Sequence, residues 1–359
     1  MWLALAVNRS TAYQPGAGVP EDEFEEFDSP ETVAAIADTI RGFGHRVEVL
    51  EADRSFPSAL AAGKFDFVFN VSEGLAGRSR ESQVPAVCDM LGIPFSGSDA
   101  VTMGITLDKD LARRAVAGAG ASASRNAGGG ADAAGTTGGM VRVAPGRVFR
   151  NPDRIDLSGL TFPIFAKPNS EGSSKGIRNS SRITSEAEAK TRIAGLIREY
   201  RGPVLVEEFL PGCECTIGVL GNSRPRVLGI MEIAPKKVAL ADFVYSLETK
   251  RDYLNQVEYH VPPRLPAQTI AAIENTVLAA YERLGCRDFA RIDVRLDGAN
   301  VPHFLEANPL PGLSPVKGDL VILAKCAGME YRELIGRILD LAFIRTGLAS
   351  KPQFSGAFA

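Results

Sequence analysis

Histidine is scarce in this 359-residue chain, occurring only at His45, His260 and His303. A histidine-based triad or a zinc centre therefore has little raw material. Cys88, Cys213, Cys215, Cys286 and Cys326 form neither a paired framework nor a Cys-x-x-Cys motif, which points to reduced thiols and a cytoplasmic setting. Cys213 and Cys215 share one face of an expected strand, with no further ligand nearby to make a metal site. Net charge is also small: at −3 there is no global basic field for nucleic acid or an anionic membrane. The apolar opening Met1 to Val7 lacks a basic start and breaks at Asn8-Arg9-Ser10, too short for a signal peptide or a span. No internal repeat is visible. What is present is a globular composition, 45% apolar and 23% charged, long enough for two or three domains around a shared site.

The first hundred residues alternate strand and helix, with strands near 3–7, 46–52 and 65–72 and a helix near 30–43. This is the pattern of an open parallel sheet. Ser29 can cap the helix, Pro30 suits its first turn, Val33, Ile36, Ala37 and Ile40 share a face, and Gly44 can end it. Further helices are expected over 81–91 and 107–117. Residues 118–139, dense in Gly, Ala and Ser, are expected to be a mobile surface linker. From 162 onward the texture is strands and tight turns, over 162–168, 204–209, 215–220 and 227–233, with a helix near 186–200. A long helix near 267–284 precedes a hairpin, 289–296 with 301–308, turned at Asp297-Gly298. An amphipathic helix near 331–348 ends the pattern.

The hairpin carries the densest chemistry. Arg291, Asp293 and Arg295 alternate with Ile292, Val294 and Leu296, so one face is charged, and across the turn Glu306 and Asn308 share a face. If the strands pair, two carboxylates and an amide converge, oxygen ligands suited to magnesium carrying phosphates. A half-exposed hairpin with surface charges explains the same pattern equally well. Lys167 ends an apolar strand and is followed by Glu171-Gly172-Ser173-Ser174-Lys175-Gly176. That places a fixed cation beside backbone N-H groups able to hold a phosphate, although Gly and Ser also make ordinary turns. It is not a Walker loop. In Glu207-Glu208-Phe209-Leu210 with Glu214, a strand edge can hold a purine and a carboxylate can take ribose hydroxyls. Solvated strand residues are the competing account.

In their order along the chain, these pieces resemble the D-alanine-D-alanine ligase family of the ATP-grasp superfamily, over residues 67–348. The markers are Leu91-Gly92-Ile93-Pro94 with Gly97-Ser98, Leu107-Asp108-Lys109, 165–176, 207–214, 245–250, Arg291-Ile292-Asp293, and Glu306-Ala307-Asn308-Pro309 with Pro311-Gly312. The fold class implied is α/β and α+β. Residues 1–105 would form the open parallel-sheet domain, 106–212 the lid sub-domain of the ATP-grasp fold, 213–350 its catalytic sub-domain, and 351–359 a tail.

By the same resemblance, Lys109 and Lys167 would contact ATP phosphates under the Ser173-Ser174 loop, and Glu207, Glu208, Phe209, Leu210 and Glu214 would hold adenosine. Asp293, Glu306 and Asn308 would carry magnesium, or manganese in its place. Arg291, Lys250 and Ser174 would serve catalysis at the transferred phosphate and the tetrahedral intermediate. Small amino-acid-like molecules would be the substrates, and the assembly a cytoplasmic homodimer.

Departures fall on the amino-acid side. The acidic segment 21–28 stands where the family has a Gly-Gly-x-Ser-x-Glu stretch. Glu73 replaces a histidine and Arg251 a tyrosine, and past Gly312 the chain puts Lys317 where the family has serine. These residues are the expected substrate contacts, and their extra charges suit a polar or charged substrate better than two alanines. The leading expectation is an ATP-dependent carboxylate-amine ligase with changed substrates, followed by D-alanine-D-alanine ligase itself. A nucleotide binder without turnover is disfavoured, because Lys109, Lys167, Arg291, Asp293, Glu306 and Asn308 are all present.

Overall fold

The computed structural model describes residues 1–13, 20–118 and 140–354. Apart from Gly118, the linker expected at 118–139 lies outside the described residues. A parallel sheet opens the chain, with β1 (Trp2–Val7) between β2 (Arg46–Glu51) and β3 (Phe67–Asn70). Because β1 is covered on both faces, its sequence is an unbroken apolar run. Leu3, Leu5 and Val7 enter one core with Ile36 and Ile40 of helix Pro30–Arg41, while Ala4 and Ala6 enter another with Phe56, Leu60 and Cys88.

Ser29 caps helix Pro30–Arg41 as expected, accepting a hydrogen bond from the Thr32 amide. The cap at its other end is Gly42, and Gly44 follows in a left-handed turn. The C-terminal helix Tyr331–Thr346 packs Ile335, Ile338 and Phe343 into the first of these cores. The last helix thus lies against the first sheet.

Two antiparallel sheets make up the rest. One contains β4 (Gly146–Phe149), β5 (Ile164–Pro168), β6 (Arg182–Ile183) and β7 (Val204–Glu208), in the order β4-β7-β5-β6. Helix Glu186–Glu199 covers it through Ala189, Ile193 and Leu196. The other contains β8 (Glu214–Leu220), β9 (Arg226–Pro235), β10 (Val257–His260), β11 (Phe289–Leu296) and β12 (Pro302–Asn308), in the order β10-β9-β8-β11-β12. Helix Ala267–Leu284 backs it with Ile273, Val277 and Tyr281.

The hairpin β11-β12 pairs Arg291 with Asn308 and Asp293 with Glu306, which puts the charged residues of both strands on one face. Its register shifts between Asp293 and Val294, because Val294 pairs with Phe304 and leaves Leu305 as an extra residue. Phe304 is therefore buried in the core, while Leu305 and Glu306 both line a cavity on the other side.

Candidate active site

The cleft between the two antiparallel sheets takes in about 760 Å³ of space, part of it open to solvent. Lys167 and Phe165 of β5 and Glu207 and Glu208 of β7 form one wall; Arg291, Asp293 and Arg295 of β11 form the opposite one. The connection from β7 to β8 closes one end with Phe209 and Leu210, Glu214 follows as the first residue of β8, and Lys250 faces in from helix Leu247–Arg251. Arg295 braces that connection. Its guanidinium donates to the carbonyls of Leu210 and Phe243 at 2.7 and 2.8 Å, pairs with Glu214 at 3.3 Å, and lies over the Phe209 ring.

A second cavity of about 610 Å³ lies between the five-stranded sheet and the first domain. Lys109, Ser173, Asn308 and Gly312 line it together with Glu26, Glu73 and Glu81. Arg291 and Glu306 line both cavities. The Gly-Ser loop spans the boundary from above, with Ser174 on the first cavity and Ser173 on the second.

Ser173 and Ser174 both adopt left-handed backbone, with φ of 45° and 62°. Neither of their amides makes a hydrogen bond among the described residues. Left-handed conformations cost free energy in residues with a side chain, and unpaired successive amides form a concavity suited to an anion. The loop is held by the acidic segment 21–28. Asp22 accepts from the Gly176 amide and the Tyr200 hydroxyl, and Lys175 is paired with Glu26 at 2.7 Å and Glu171 at 2.6 Å.

At the shared boundary, Arg291 contacts Asp293 at 3.1 Å, Asp319 at 3.0 Å and Glu306 at 3.7 Å. Lys109 stands 3.1 Å from Glu306. Burial raises the Asp293 carboxyl to about 6 against the pull of Arg291, and the neighbouring Glu306 and Glu214 charges add to the rise. For Glu306, burial is overridden by Lys109, Lys167 and Arg291, which hold its carboxyl far below the usual range. Thr216 donates to Asp293 at 2.9 Å and fixes its orientation.

Two adjacent carboxylates and the Asn308 amide, 3.5 Å from Glu306, fit a hard divalent ion that takes its remaining oxygens from phosphate and water. No trio of His, Cys, Asp or Glu side chains among the described residues makes a protein-only metal site.

Most of the residues singled out from sequence line one or other of these cavities. Glu207, expected at adenosine, turns its carboxylate inward to Lys167 at 2.7 Å and Arg113 at 3.1 Å. Glu208 accepts a hydrogen bond from the Thr161 amide. Lys109 and Lys167 face different cavities. Arg251 and Lys317, expected to touch substrate, line neither one. Arg251 is exposed and pairs with Glu25 at 2.9 Å and Glu21 at 3.3 Å, because helix Leu247–Arg251 turns it toward the acidic segment. Lys317 is exposed on the loop after Gly312. Sequence reasoning missed Glu81, Arg113 and Asp319. Only Glu81 carried any local signal, as a charge opening an apolar helix.

Two antiparallel sheets enclosing a cleft, with paired carboxylates on one wall and lysines facing them, define an ATP-grasp enzyme. A family model described as the D-ala D-ala ligase C-terminus matches residues 149–340. D-alanine-D-alanine ligase of Moorella thermoacetica is 31% identical over 86% of this chain and 92% of its own length. That of Fervidobacterium nodosum is 30% identical over 86% and 92%. The crystal structure of D-alanine-D-alanine ligase from Bacillus anthracis complexed with ATP superimposes with a TM-score of 0.71 at 17% identity, covering 97% of this chain and 99% of that one. The chain belongs to the D-alanine-D-alanine ligase family and is an ATP-dependent ligase that forms a carbon-nitrogen bond.

Proposed function

We propose that the chain activates a small amino-acid-like carboxylate as an acyl phosphate and couples it to an amine, releasing ADP and phosphate. The observation that carries this reading is the shared wall: Arg291 and Glu306 border both cavities. A phosphoryl donor in the first cavity and a carboxylate in the second would meet beside one guanidinium. The carboxylate oxygen attacks the terminal phosphorus and ADP leaves. An amine nitrogen then attacks the acyl carbon, phosphate leaves, and the nitrogen loses its proton.

In this reading Lys167, Lys250 and the Ser173-Ser174 amides bind phosphate oxygens, and Glu208, Phe209, Leu210 and Glu214 receive adenosine. Arg291 balances the oxyanion of the tetrahedral intermediate, where a preorganised cation in a dry site is most effective. Asp293, Glu306 and Asn308 would hold magnesium, or manganese, which when bound offsets phosphate charge. Gly312 and Glu73 border the acceptor. A cytoplasmic homodimer belongs to the same proposal and rests on the family resemblance alone.

The test is nucleotide analysis of a turnover mixture containing ATP, magnesium and pairs of amino acids and amines. ADP with phosphate is expected; AMP with pyrophosphate would overturn the acyl-phosphate route. D-alanine paired with itself is the first combination to try, because the relatives at 31% and 30% identity carry that name.

A further inference from the structure

Arg291 is held by two carboxylates that the proposed metal would claim and by a third that it would not. Its Nη2 lies 3.1 Å from Asp293 and 3.7 Å from Glu306, and its Nη1 lies 3.0 Å from Asp319. Asp293 and Glu306 belong to the oxygen set suited to magnesium; Asp319 stands outside it. The Arg291 Nε is buried and makes no hydrogen bond with any described residue. In a planar guanidinium the Nε-H and the adjacent Nη2-H point the same way, and together they form the edge that grips an oxyanion through two parallel bonds. One nitrogen of that edge is therefore free, and the other is bound to the carboxylates of the metal set.

Asp319 reaches Arg291 from a fixed backbone. It is the first residue of helix Asp319–Cys326, and that helix is seated by two glycines. Arg291 pairs with Gly218 on β8, and Gly218 pairs with Gly229 on β9, so the three form one row across the sheet. A Cβ on Gly218 would stand 2.8 Å from Leu320, and one on Gly229 would stand 3.2 Å from Leu323. Both separations are closer than ordinary packing, so the row accepts the helix because it lacks side chains there. Leu320 and Leu323 are fully buried, which anchors the turn that carries Asp319.

We propose that Asp319 is the positioning residue for Arg291: it keeps Nη1 when a divalent ion takes Asp293 and Glu306, and so leaves the vacated Nη2 and the free Nε turned together toward the oxyanion. This rests on the ligase reading above and deepens it at the same guanidinium. A divalent ion on the two carboxylates competes with Nη2 for their oxygens and repels the guanidinium. Asp319 is then the one carboxylate of the three still available to hold the side chain in place. It takes no part in bond making.

Manganese binding to the full chain with a non-hydrolysable ATP analogue, followed by the paramagnetic resonance of the free ion, measures the exchange without turnover. Asp319→Asn should weaken manganese at least about fivefold, because Arg291 then stays on Asp293 and Glu306. Loss of a negative charge alone would also weaken a cation, so the substitution is repeated in Arg291→Met, where its effect should be less than about twofold. Asp319→Glu should restore affinity to within about twofold of wild type. Inorganic phosphate, titrated calorimetrically with magnesium and ADP, tests the anion edge with the opposite sign. Removing a carboxylate should by itself tighten an anion, whereas Asp319→Asn should weaken phosphate at least about threefold. Unchanged manganese affinity, an equal loss in both backgrounds, or phosphate held by Asp319→Asn as tightly as by wild type or more so would overturn the proposal. ADP from an amino-acid pair without this coupling would leave the ligase reading standing and remove the role of Asp319. The coupling with no ADP from any pair would keep that role and sink the ligase reading.

Discussion

Lys167 Nζ stands 2.7 Å from Glu207 Oε2, and both side chains are almost wholly enclosed. The pair spans adjacent strands of the four-stranded sheet, β5 and β7, so the cation proposed to meet nucleotide phosphate is held by a carboxylate in this structure. Removing one member of a buried pair strands the other, at a cost of about 3–5 kcal/mol. Glu207→Gln should therefore shift the urea midpoint of unfolding downward, with Arg113 losing its partner as well. ATP should recover part of the loss by supplying new anions. A midpoint equal to wild type would mean that the pair is not stabilising.

Asp293→Asn and Glu306→Gln should fold and yet lose turnover by about 100-fold or more. Each replaces a carboxylate with an amide of the same shape, Asp293 on the wall of the first cavity and Glu306 on the wall shared by both. Steady-state kinetics beside thermal unfolding separates the two effects. Wild-type rates in both variants would return the hairpin to a purely structural role.

Arg251 and Lys317 line neither cavity. Both are exposed, and the Arg251 pairs with Glu21 and Glu25 lie at the surface, where ion pairs contribute little and are screened by salt. Arg251→Tyr and Lys317→Ser should change KM for the amino substrates by less than about twofold. A large rise in KM would show that closure over substrate brings them into the cavity.

Glu81 gives the protein a pH dependence of stability with a definite sign. Burial, opposed by Arg80 and reinforced by Glu26, lifts its carboxyl from 4.5 to about 7. Between those values the folded chain holds a proton that the unfolded chain has released, so this group's contribution falls as pH rises through the window. Glu81→Gln removes the dependence. Its melting temperature should exceed that of wild type at pH 8 and converge with it near pH 5, by scanning calorimetry.

The hairpin was legible because a period of two writes its faces directly into the residue order: Asp293 and Glu306 were expected on one face and are paired there. The parallel opening was legible for the opposite reason, since a strand covered on both sides leaves an unbroken apolar run. Glu26, Glu73 and Glu81 were not legible as one cavity wall. They come from three separate segments, and only tertiary packing brings them together. Side-chain direction was the other gap. Glu207 and Arg251 lie on the expected elements, yet one turns toward Lys167 and the other toward Glu25. Those choices are made by partners remote in sequence.

The extra residue at Leu305 also sets which changes of length the active-site strand can absorb. Phe304 and Glu306 are both even-numbered yet face opposite ways, so the alternation is reset between them. Deleting Leu305 would restore a regular ladder with Glu306 still directed into the cavity, at the expense of an apolar patch of wall. Deleting Ala307 would turn Asn308 away from Arg291 and toward the core. A family diverging by insertion and deletion would then find β12 tolerant at one point and closed to change two residues further on.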